Sequence, residues 1–185
     1  MKNLKSTTFI LTTLSLALCL SFVQADKWVL VHSKKYNYKI EFPKKPKEQT
    51  QSLDSELGKL QLNMFVYDAS EVKGEDNLYY LCNCTEYPGT AVSSANKEAL
   101  EGFYRGGIDG AVKNVKGKLL TEKTITIDGY EGREATIDYQ EGLAVITMRM
   151  LLVENRMYLV QTITETSKLP NESVSKFMES FQLSK

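Results

Sequence analysis

The sequence predicts an α+β domain, an antiparallel β-sheet covered by helices. Three observations predict it: segments that alternate apolar and polar residues, an Asp-Gly hairpin signal between two of them, and two stretches that change to helical period. In "YNYKIEF", Tyr36, Tyr38, Ile40 and Phe42 fall on one face while Asn37, Lys39 and Glu41 fall on the other, and "PKKP" stops the strand. "KLQLNMFVY" repeats the pattern with Leu60, Leu62, Met64 and Val66, and "NLYYLCNCTEY" makes a third strand. Residues 119–165 read as a four-strand meander, with turns at Asp128-Gly129, Glu141-Gly142 and Glu154-Asn155. The third of these strands, "LAVITMRMLLV", is apolar on both faces and belongs in the middle of a sheet covered on both sides.

The helical stretches follow from spacing. Over 95–115, Leu100, Phe103, Tyr104, Ile108, Ala111, Val112 and Val115 recur at three- and four-residue steps. Near the C-terminus Asn171 can cap a helix whose apolar face is Val174, Phe177, Met178 and Phe181. Two helices on one sheet give the fold class.

Residues 1–25 read as a signal peptide and 26–185 as a single domain. Lys2 and Lys5 precede the apolar run "FILTTLSLALCLSFV", and "VQA" ends just before Asp26, which is the pattern of a cleaved export segment. Thr12, Thr13 and Ser15 dilute a run already short of the ~20 apolar residues of a spanning helix. Leu18 is bulky for the position before a lipidated cysteine such as Cys19. The domain is therefore expected to be exported, periplasmic or extracellular, and not membrane-spanning after cleavage. Its 21 Lys and Arg against 23 Asp and Glu leave a charge of −2, with no basic block to hold nucleic acid.

Catalytic motifs are sparse. The sequence has no Gly-x-Ser-x-Gly elbow, no phosphate-cradling loop and no dinucleotide fingerprint, and any histidine-dependent catalysis would rest on His32. No catalytic residue, cofactor or resident metal is expected. Two features remain as candidates. Cys82 and Cys84 lie two apart in a strand, so both side chains leave one face. A disulfide between them would be strained, because same-face neighbours stand ~6.5–7 Å apart whereas bridged Cβ atoms lie ~3.5–4.5 Å apart. Such a bond would be easily reduced, the property of a redox switch. Two thiolates could also supply half a zinc site, with His32 and a carboxylate as the remainder. The simpler reading continues the line Leu78, Tyr80, Cys82, Cys84 into the core, where free cysteine packs as a small hydrophobe.

The second candidate is a contact stripe, Gly102, Gly106 and Gly110, on the flank of the long helix with Gly107 beside it. Each glycine costs a helix ~0.8–1 kcal/mol against alanine, so together they give up about 3 kcal/mol. They either admit a partner or ligand, or mark a tolerated mobile helix, or pack against a loop of the same chain. In "GYEGREATID", Arg133 and Glu134 point to opposite faces and cannot act as a pair, and Gly132 marks a bulge or a close backbone approach. Asn83 and Asn171 are formal glycosylation sequons, the first awkwardly placed inside a strand.

Four segments, in order, resemble the Mog1/PsbP superfamily. "YNYKIEFPKKP" is similar to its opening Tyr-x-Ile-x-Phe-Pro strand and "TITIDGYEGREATIDY" to its Gly-x-x-Gly-Arg-Glu hairpin. "RMLLVENRMYLVQTI", leading into "SKFMESFQLS", is similar to its last hairpin and final helix. The resemblance implies an α/β/α sandwich and a family whose known members act by binding, among them an extrinsic photosystem II subunit and a Ran-binding nuclear factor. It names no partner and carries over no functional residue. The expected function is that of an exported, non-catalytic binding or accessory domain for a protein or small ligand. The alternatives are a thiol-based redox or metal-handling protein using Cys82 and Cys84, and a carrier holding a hydrophobic ligand between the sheet and the glycine-striped helix.

Overall fold

The computed structural model describes residues 27–55, 57–89 and 92–184; the signal segment 1–25 and its cleavage point lie outside them. The elements run β1 (Val29–Ser33), β2 (Tyr38–Phe42), β3 (Lys47–Ser55), β4 (Gly58–Asp68), β5 (Tyr79–Glu86), α1 (Lys97–Asn114), β6 (Lys118–Ile127), β7 (Tyr130–Tyr139), β8 (Ala144–Val153), β9 (Arg156–Glu165), α2 (Glu172–Ser180) and β10 (Gln182–Leu183). Seven strands form one antiparallel sheet in the order β3-β4-β5-β9-β8-β7-β6, and β1, β2 and β10 form a small second sheet. The α+β class and the four-strand meander are as the alternation predicts. Asp128 and Gly129 both adopt positive φ, 49° and 85°, as the tight turn joining β6 to β7 requires.

The two faces of the large sheet build two cores. On one, β2 and α2 lie against β5, β8 and β9, burying Tyr38, Ile40, Phe42, Tyr80, Cys82, Leu151, Tyr158 and Phe177. The cover on this side is therefore shared between a helix and a small sheet. On the other face α1 presents Leu100, Tyr104 and Ile108 to Ala135, Ile137, Ile146, Met148 and Leu152. Strand β8 lies between β7 and β9, and eight of its ten residues are buried, because both faces are covered as its continuous apolar run predicts.

Strand β3 was not legible from the alternation. Its sequence, KEQTQSLDS, is almost wholly polar and every residue is exposed. It is held by its ladder to β4, from Lys47 opposite Val66 to Ser55 opposite Gly58, rather than by burial.

Polar side chains tie the layers together. Asn171 caps α2 by accepting the Val174 N–H at 2.9 Å, while its Nδ2 donates to Asn77 Oδ1 at 3.1 Å. Asn77, 1% exposed, also accepts the Thr164 hydroxyl at 2.6 Å and donates to the Tyr80 hydroxyl at 2.7 Å. The carboxamide is thus satisfied on both sides, the condition under which a buried polar group is stable.

Arg133 and Glu134 do point to opposite faces. Arg133 lies over the Tyr104 ring on the α1 side, paired with Glu101 and with Glu131 at 2.8 Å. Glu134 accepts Arg149 Nε at 2.6 Å and Lys123 Nζ at 2.7 Å on the α2 side, where Arg149 also donates to the Met178 carbonyl at 2.8 Å. Desolvation alone would raise the Glu134 pKa, but the bonds from Lys123 and Arg149 outweigh it and hold it below the usual value of 4.5. A carboxylate with a depressed folded pKa stabilises the fold above its unfolded pKa and loses that contribution as pH falls through the folded value. Glu134→Gln is therefore expected to cost about 1.5–3 kcal/mol at pH 7, the worth of hydrogen bonds to a charged group. The difference from wild type should shrink in urea titrations below about pH 4.5. A difference independent of pH would mean that the charge of Glu134 contributes nothing.

Candidate functional site

Helix α1 packs against β7, and its stretch from Gly106 to Ala111 borders a groove over β4, β5, β8 and β9. The register places Leu62, Thr85 and Met157 in one row of this face, and Met64, Asn83, Leu159 and Met150 in the next. A groove of about 320 Å³ runs between these rows and α1, within the size range of small-ligand sites. Its floor is Leu60, Leu62, Leu159, Met148, Met150 and Met157; its helical wall is Gly106, Gly107, Gly110 and Ala111. None of the described lining residues is charged. A wider depression of about 650 Å³ along α2 is edged instead by Glu41, Glu172, Lys176 and Glu179, side chains that water solvates.

The glycine stripe splits at this groove. Gly106 and Gly110 line it, whereas Gly102 does not. A Cβ built on any of the three meets nothing within 4 Å, so no described part of the chain packs against the stripe. Gly107 behaves differently, since its Cβ would collide with the Met150 side chain. Gly132 serves a close backbone approach, its Cβ falling 2.5 Å from the Met150 carbonyl oxygen. The open glycines therefore cost α1 stability without any return in packing, and two of them keep the mouth of an apolar groove clear.

Asn83, read from the sequence only as an awkward sequon, lies in this groove. It is 3% exposed, its Nδ2 donates to Thr85 Oγ1 at 3.0 Å, and its Oδ1 has no hydrogen-bond partner among the described residues. A buried acceptor left unpaired costs about 1–3 kcal/mol. The sequence signal was a carboxamide in the line Leu81, Asn83, Thr85, on the face of β5 opposite the cysteines.

Cys82 and Cys84 face the other core. Both are free and buried, packed with Tyr38, Tyr158 and Phe177. Burial pushes both thiols up, Cys84 to about 12 even with Arg156 nearby, so neither favours the thiolate that redox exchange and metal binding require. Among the described residues no cluster of three histidine, cysteine or acidic side chains could hold a metal ion. His32 lies on β1, in the small sheet opposite Lys39. Asn171 is engaged as the α2 cap.

Fold and groove together define an α+β domain with a neutral, ligand-sized cleft on one face of its sheet. No family model matches the chain, and no curated protein matches it. Among solved structures it is similar to the solution structure of cyanobacterial PsbP (CyanoP) from Synechocystis sp. PCC 6803, with 12% identity over 88% of this chain and 95% of that one and a TM-score of 0.49. No residue or activity is carried across at that identity.

Proposed function

We propose that this chain is a non-catalytic binding domain that acts outside the cytoplasm and that the groove beside α1 is its binding surface. The observation that carries the reading is the open glycine flank over an apolar floor, where α1 forgoes helix stability to leave space. The export-like N-terminal segment and the resemblance to the Mog1/PsbP superfamily agree with it. Among the described residues no helix is long and apolar enough to cross a membrane.

Methionine methyl NMR with 1-octanol as the probe tests the reading. Saturable shifts are expected at Met148, Met150 and Met157, which line the groove, and not at Met178, which lies in the opposite core. Gly110→Leu should abolish them by filling the groove, whereas Gly102→Leu should leave them intact. Both substitutions replace an unpacked helical glycine by a better helix former, so each variant is expected to gain about 1 kcal/mol of stability. Shifts that survive Gly110→Leu would remove the groove as the binding surface.

A further inference from the structure

We infer that the groove selects an uncharged, single-chain amphiphile whose head group donates one hydrogen bond, a hydroxyl or amide N–H, to Asn83 Oδ1. The inference rests on the reading of the groove as the binding surface and adds the chemistry of what binds there.

Three features of the lining set that chemistry. Size comes first: about 320 Å³ holds roughly ten non-hydrogen atoms at ~30 Å³ each, a medium aliphatic chain with a small head. Charge is second. Among the described residues no Lys, Arg, His, Asp or Glu lines the groove, so an ionised head entering it would lose its hydration with no counter-charge from them in return. Polarity is third. Asn83 is 97% buried and its Nδ2 is already committed to Thr85, which leaves Oδ1 unpaired among the described residues and closed to solvent at the floor of the groove. A ligand hydroxyl would satisfy that acceptor, whereas an ether or ketone oxygen would repel it.

The floor can admit such a chain. Met148, Met150 and Met157 line the same groove as Asn83 and are unbranched and polarisable, so the lining repacks around an entering chain at low cost. Gly106 and Gly110 keep the helical wall at backbone depth, where any larger side chain would occupy the path of the chain. The glycine stripe and the orphaned acceptor are independent features, on different elements, and they meet in one cavity.

The test is a head-group series at constant chain length, titrated into the full domain and followed by methionine methyl NMR. The expected order is 1-octanol tightest, with 1-methoxyoctane and 2-octanone at least tenfold weaker, and octanoate at pH 7 weaker again. Asn83→Leu should erase the preference for the alcohol over the ether while retaining ether binding, which also shows that the variant is folded. Equal affinity for alcohol and ether in the wild type would overturn the inference and leave the groove as a binding surface. A preference for 2-octanone would overturn it too, by showing that the amide presents its NH₂ rather than its oxygen. Tighter binding of octanoate would overturn the neutral-ligand assignment. Failure of all four to bind would overturn the groove reading itself, and this inference with it.

Discussion

Phe177→Ala is expected to lower the free energy of unfolding by about 3–5 kcal/mol. Phe177 is fully buried on α2, with its ring 5.0 Å from that of Phe42 on β2 and 5.1 Å from that of Tyr80 on β5. It therefore joins the small sheet, the large sheet and the helix at one point. Truncation removes the apolar surface and leaves a cavity that three rigid elements cannot close, so the cost belongs at the high end of core substitutions. Against a total stability of about 5–15 kcal/mol for a domain, the change should be plain in the urea midpoint. A loss below about 1 kcal/mol with an unchanged slope would mean that α2 is not part of the cooperative core.

Tyr104→Phe is expected to cost about 2–3 kcal/mol although it removes a single oxygen. The Tyr104 hydroxyl donates to the Glu131 carbonyl at 2.7 Å and accepts the Leu152 N–H at 2.9 Å. The β7–β8 register, with Gly132 opposite Leu151, would next bring Glu131 opposite Leu152. The hydroxyl from α1 is inserted between these two backbone groups, where the ladder would otherwise have closed. Phenylalanine keeps the packing and orphans a buried N–H and a carbonyl, and an orphaned group costs more than an average hydrogen bond contributes. Hydrogen exchange at Leu152 should accelerate in the variant more than at Ile146, in the same strand but remote from the hydroxyl. Uniform acceleration would assign the effect to global destabilisation and remove the hydroxyl from its bridging role.

Both substitutions act on elements that were legible in very different degrees. The alternation in "YNYKIEF" and the cap-plus-face pattern of 171–181 placed Phe42 and Phe177 correctly, because a one-residue slip would turn either set out of the core. The glycine stripe was legible as an anomaly, since three glycines in a helix carry a known penalty. Its meaning was not legible. Gly106 and Gly110 border a groove and Gly102 does not, a distinction that depends on where β4, β5 and β9 lie relative to α1. The cysteine pair was legible as core, whereas Asn83 between the two thiols drew notice only as a sequon.

Periodicity and turn chemistry within the chain determined the class of fold, the meander, both helices and the burial of Cys82 and Cys84. These are consequences of local geometry, the two-residue repeat of a strand and the 3.6-residue repeat of a helix. Tertiary structure alone decided three further things: the pairing of β5 with β9, the polar strand β3 at the sheet edge, and the groove itself. Each depends on residues far apart in sequence meeting across a sheet. A groove is the space left where a helix covers only part of a face, and no local pattern encodes what is left uncovered.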